Sequence, residues 1–214
     1  MRILSRHFRY ARDVMLNLKT KKLMIEQNSS TSEMNSPYFV RNKEFCNKFE
    51  NFVLEKNGKV KGIYNAWSFS VIGKIKNPNI WTLNYKKSTF TSGNLFLSTK
   101  TQNLLTSAEW KTKNIFESNF KVRRKMTVDF FNLQTSKSLS KLDFSDKYVI
   151  DIKIQKGDFL DKLFMILKPL FLTNEIYEIE NSKDDFRIEL RTEKHHFEIF
   201  ERVAELKKTK HNSA

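Results

Sequence analysis

Cysteine is almost absent from the sequence: Cys46 is the only one, and glycine and proline contribute just five and three residues. One thiol cannot close an intramolecular disulfide, so packing must hold the fold and a reducing compartment is the simpler setting. The length is enough to bury a core that folds without covalent staples. Beside Phe45, Cys46 reads as a small buried apolar residue and not as a nucleophile. The scattered glycines build neither a G-x-G-x-x-G turn nor a Walker loop, which removes the common phosphate-cradling motifs.

Long apolar runs are missing too. The longest, "FLDKLFMILKPLFL", is broken by Asp161, Lys162, Lys168 and Pro169, and falls short of the roughly 18 residues a spanning helix needs. The N-terminus lacks the uninterrupted apolar core and small-residue cleavage site of a secretory signal. The expectation is a chain that stays soluble where it is made, cytoplasmic or peripheral at a membrane.

Histidine is equally sparse. His7 and His211 lie near the chain ends, and His195 with Glu198 is a lone i, i+3 pair with no further ligand at metal spacing. Asp158 and Asp161 read as the first turn of a helix and Asp184-Asp185 as a turn. No metal, no cofactor and no catalytic residue is predicted, and nothing in the pattern favours an enzyme.

What the chain has in excess is positive charge, +15 overall. Residues 1–125 carry 24 Lys/Arg against 8 Asp/Glu, or +16, whereas residues 126–214 carry 15 against 16, or −1. Such asymmetry points to a nucleic acid, an anionic membrane or an acidic protein as partner. The competing explanation is compositional, since an AT-rich genome enriches Lys, Asn, Ile and Phe together without selection for binding.

Periodicity divides the chain. Over residues 1–24, Leu4, Phe8, Ala11, Met15 and Leu18 share one helical arc, opposite Arg2, Arg6, Arg9 and Arg12. This basic amphipathic helix suits an anionic membrane interface, a nucleic-acid backbone or an organellar presequence; docked on the body, it would be an ordinary surface helix. Residues 25–37, rich in Ser and Asn and ending in Pro37, read as a linker; residues 38–209 as one α+β domain; residues 210–214 as a disordered tail. Within the domain, Phe45, Phe49, Phe52 and Val53 mark a helix that Asn42 can cap. Trp67, Phe69 and Val71, then Trp81, Leu83 and Tyr85, alternate as strands, with shorter candidates at Leu95 to Thr99 and Phe120 to Met126. The last third reads β-α-β-β-α: a strand through Tyr148, Ile150, Ile152 and Ile154, a helix from Phe159 limited by Pro169, two short strands about "NSKDD", and a helix through Phe197, Phe200 and Val203. The predicted fold class is α+β, an antiparallel sheet with helices packed on one side. Its end resembles, in fold alone, a ferredoxin-like half without the last strand.

The stretch "FESNFKVRRKMTVDFF" concentrates the charge. As a strand it sends Lys121, Arg123 and Lys125 to one face and Phe120, Val122, Arg124 and Met126 to the other, where Arg124 needs an acid or a sheet edge. Lys74, Lys76, Lys86 and Lys87 lie near the ends of neighbouring candidate strands. Arg2, Arg6, Arg9, Arg12, Lys86, Lys87, Lys121, Arg123 and Lys125 are the expected binding residues. The opposing reading of "KVRRK" is a solvated strand face, because the aromatics hold the core-facing phase and no RNA-binding sheet signature is present. The expected function is non-catalytic binding of nucleic-acid phosphates or an anionic membrane surface; the alternative is a protein-interaction or structural subunit.

Overall fold

A computed structural model describes residues 24–88, 106–113, 118–129, 138–154 and 158–206. Ten strands form one sheet: β1 (Ile25–Gln27), β2 (Lys59–Tyr64), β3 (Phe69–Ile75), β4 (Trp81–Lys87), β5 (Thr106–Lys113), β6 (Asn119–Arg124), β7 (Leu139–Leu142), β8 (Ser145–Ile154), β9 (Ile176–Asn181) and β10 (Asp185–Leu190). Three α-helices accompany them among the described residues: α1 (Pro37–Glu55), α2 (Phe159–Leu172) and α3 (Phe197–Glu205). The strand order is β1-β2-β3-β4-β5-β10-β9-β6-β8-β7, antiparallel except for the parallel β1–β2 pair.

Period-two alternation separates the two faces of this sheet. One cross-strand row runs Val60, Gly73, Leu83, Trp110, Ile188, Ile179, Val122, Ile150, each paired in register with the next. This is the face that the helices cover. Phe200 of α3 meets Trp81 and Trp110 edge-on at 5.3 and 5.4 Å, Phe171 of α2 meets Tyr148 at 4.9 Å, and Phe159 meets Phe186 at 5.9 Å. Under α1, Gly73 leaves the space that Phe49 and Val53 occupy, where a Cβ would stand 2.9 Å from the Phe49 ring. The mixed α+β class and the one-sided helices therefore follow from the periodicities. The other face carries no helix among the described residues.

Several local expectations change. Residues 25–37 are not a bare linker: Ile25 is buried and Ile25–Gln27 pairs with Gly62–Tyr64 as an edge strand, so the sheet begins thirteen residues before Tyr38. Ser36, not Asn42, caps α1, its Oγ accepting from the Tyr38 N–H at 3.3 Å with Pro37 in the first turn. Asn42 lies inside the helix, buried, donating through Nδ2 to the carbonyls of Asn65 at 2.9 Å and Ala66 at 3.2 Å. Its amide pins α1 to the β2–β3 turn. Trp67, expected on the apolar phase, sits in that turn, 39% exposed.

Pro169 does not end α2, which continues to Leu172. The backbone carbonyl deprived of its donor is that of Met165, on the exposed side where water can serve it. The order β8-α2-β9-β10-α3 is present, but the ferredoxin-like comparison fails in space. The strand between β8 and β9 is β6, while β10 lies outside β9, against β5. The expected N-terminal helix, the candidate strand at 95–99 and the tail at 210–214 lie outside the described residues.

Candidate functional site

On the helix-free face two rows of side chains cross the sheet. One runs Lys61, Ile72, Asn84, Glu109, Glu189, Glu178, Arg123, Val149; its neighbour runs Lys59, Lys74, Thr82, Lys111, Arg187, Glu180, Lys121, Asp151. Charge is divided along them. Strands β2–β4 present Lys59, Lys61, Lys74 and Lys86, all exposed, and no acid. Among the described residues, acids stand at the borders of this patch, Glu26 opposite Ile63 on β1 and Glu109 opposite Asn84 on β5.

The centre of the face is a closed ion network. Arg187 reaches Glu178 at 2.6 Å, Glu180 at 3.0 Å, and both Glu109 and Glu189 at 3.8 Å. Lys111 pairs with Asp185 at 2.6 Å and Arg191 with Glu189 at 2.7 Å. Four glutamates on three adjacent strands would repel one another; Arg187, placed in the middle of them, offsets this.

Of the three "KVRRK" cations on β6, the two on the open face, Lys121 and Arg123, belong to this neutralised region. Lys121 bridges to Glu178 at 3.0 Å and lies 4.0 Å from Glu180. Arg123 donates from both terminal nitrogens to the carboxylate of Asp129, each at 2.6 Å, and the Met126 N–H donates to the same group at 2.6 Å. Asp129 is fully buried, and the Arg123 guanidinium holds its carboxyl at about 2, below the ordinary 3.8. Arg123 is thus committed to the fold. On β6, both open-face cations are ion-paired within the fold.

Arg124, on the opposite phase, finds no acid among the described residues; its Nε donates to the carbonyl of Ile176 at 3.1 Å and its NH2 to that of Asn174. Lys125 lies past the end of β6, its N–H bonded to the carbonyl of Lys147 at 2.8 Å. Lys87 pairs with Glu193 at 3.2 Å, while Lys86 points to the open face beside Ser70 and Ser107. Arg2, Arg6, Arg9 and Arg12 lie outside the described residues. Of the expected set, therefore, Lys86 alone belongs to the acid-free patch. Lys59 and Lys61 are its unanticipated members; the signal was the K-x-K alternation in "KVKGIY" after the Asn57-Gly58 turn, obscured by Gly62.

The remaining chemistry-bearing groups are packed away. The His195 ring stacks on Phe45 at 3.7 Å and on Phe197 at 4.5 Å, and its Nε2–H donates to the Phe45 carbonyl at 2.9 Å. Burial pulls its pKa down to about 4, so it is neutral near pH 7. Burial pushes the Cys46 thiol up to about 12, with the nearby Glu50 charge adding to the effect. Among the described residues no three His, Cys, Asp or Glu side chains group as metal ligands, and no helix is long and apolar enough to cross a membrane. No family model, curated protein or solved structure matches this chain.

Proposed function

We propose that this chain is a non-catalytic binding protein that contacts nucleic-acid phosphates through the open face of β2–β4. The observation that carries this reading is the direct cross-strand pairing of Lys59 with Lys74, flanked by Lys61 and Lys86. Like charges opposite one another on a sheet destabilise it, and β2–β4 place no acid on that face to relieve them. A bound phosphate relieves them. Alternate residues on one strand stand about 7 Å apart, so Lys59 and Lys61 form a rigid rail that a flexible phosphate chain can follow.

The patch favours phosphates over a lipid surface, because among the described residues it exposes one large apolar side chain, Ile63, and interfacial binding needs buried apolar area. Sequence specificity is not expected, since lysine rails read backbone and not base edges. The test is titration of mixed-sequence single-stranded RNA across several salt concentrations, comparing the parent with a Lys59→Gln, Lys61→Gln, Lys74→Gln, Lys86→Gln variant. The variant should lose about 3 units of salt slope, near 0.7 for each contact removed. An unchanged slope, or salt-independent binding in the parent, would reject the reading.

A further inference from the structure

Helix α2 lies under the sheet, on the side away from the lysine patch, with Phe171 and Phe159 turned inward onto Tyr148 and Phe186. Its outward side is apolar too. Met165 is 72% exposed and Leu172, two turns further on, is 61% exposed, with Pro169 exposed between them. A surface helix carries charged and polar residues on its solvent side, as α1 does with Arg41, Lys43, Glu44 and Lys48. On one flank of α2, half-buried Phe164 meets Phe144 at 5.9 Å and continues the apolar surface towards the β7–β8 turn.

The charges that frame this stripe are ordered along it. Asp158 and Lys162 pair with each other at 2.6 Å. Asp161 and Lys168, both exposed, stand two turns apart on the Phe164 flank, and neither has an ion partner among the described residues. At a rise of 1.5 Å per residue, Asp161 precedes Met165 by about 6 Å and Lys168 follows it by about 4.5 Å. A second α2 laid antiparallel on the first, about a two-fold axis at Met165, sets each flank against the same flank of the other copy. Asp161 of each copy then meets Lys168 of the other, Met165 meets Met165 on the axis, and Leu172 closes each end over the opposite first turn. A parallel pairing would oppose like charges at both positions. On the other flank, Lys162 of the second copy faces Pro169 and can donate to the Met165 carbonyl, which lacks the N–H that Pro169 cannot supply.

We propose that this chain forms a two-fold dimer through antiparallel pairing of the outer face of α2, the second copy being the partner that fits it. Self-complementary charge around an exposed apolar stripe selects that occupant. Two 14-residue helices bury less than the roughly 1,200 Å² at which standard interfaces begin, so the dimer is weak, with a dissociation constant on the order of 10 μM. Both lysine patches stay open in it, and it depends on nothing that they bind.

Sedimentation velocity of the full chain, without nucleic acid and from low to high micromolar concentration, tests this. The parent should pass from monomer to dimer. Asp161→Lys and Lys168→Asp should each weaken the dimer by at least about tenfold, since each opposes like charges twice. Both changes on one chain should restore it, and an equimolar mixture of the two single variants should form a heterodimer of parent-like affinity. Met165→Glu, at a side chain that is already in water in the monomer, should stay monomeric throughout. Lys59→Gln/Lys74→Gln should dimerise as the parent does. A parent that is monomeric at every concentration overturns the proposal, as do single variants that dimerise like the parent or a double variant as weak as the singles.

Discussion

Replacing Arg123 by Gln should destabilise the protein strongly, although the residue projects from the open face of the sheet and three-quarters of its side chain is already covered. The reason is Asp129. Its side chain has no solvent exposure, and Arg123 is the only cation bonded to it among the described residues. A shift of its pKa from 3.8 to about 2 corresponds to about 2 kcal/mol of pairing energy. Removing one partner of a buried pair also strands the other charge, and such changes cost about 3–5 kcal/mol. The expected loss for Arg123→Gln at pH 7 is therefore about 3 kcal/mol. Lys121→Gln is the control. Its side chain is 42% exposed on Glu178 and Glu180, and such pairs contribute at most about 1 kcal/mol. Urea unfolding at pH 7 and at pH 3 measures both. The depressed pKa of Asp129 means its contribution is complete above pH 3.8 and is lost as pH falls towards 2, so the gap between parent and Arg123→Gln should narrow in acid. An Arg123→Gln variant within about 0.5 kcal/mol of the parent at pH 7, the range of an ordinary surface substitution, would refute the argument.

His195 titrates in the opposite part of the acid range. Its folded pKa of about 4 lies below the ordinary 6.5, so the unfolded chain binds the extra proton and stability should fall as pH drops from 6.5 towards 4. His195→Gln, which retains an N–H for the Phe45 carbonyl, should flatten that limb of the stability profile; an NMR titration placing the His195 pKa near 6.5 would contradict it. Deletion of residues 1–23 should leave cooperative unfolding intact, whereas deletion of residues 1–30 removes β1. The longer deletion discards Ile25, 2% exposed, and bares the edge of β2, costing about 2–3 kcal/mol. Equal thermal midpoints for the two truncations would show that β1 contributes nothing.

The two basic regions of the sheet differ in what surrounds them and not in how many cations they hold. On β6, Lys121 and Arg123 face Glu178 on β9 and Asp129 in the following loop, so positive charge there is structural. On β2 and β3 the lysines face one another. A stretch as dense as "KVRRK" draws the eye as the site of binding; its neighbours make it the less available of the two.

The sequence alone determined what repeats locally. Alternation in Trp81, Leu83 and Tyr85 could only be satisfied by a strand with one buried face, and the 3.6-residue spacing of Leu160, Leu163, Leu167 and Leu170 only by a helix laid upon it. The lone cysteine by itself excludes an intramolecular disulfide. Tertiary structure decided everything that depends on which strand stands beside which. β6 is inserted between β8 and β9, and Glu178 therefore meets Lys121 and Arg123 across more than fifty residues of chain. Ile25 ends a three-residue apolar run, Leu23-Met24-Ile25, too short to carry a period, and only the free edge of β2 made a strand of it. Side-chain phase is set by bonds between neighbouring residues, while the partner of a charge is set by strand register summed across the whole sheet, and that sum is not written in any single stretch.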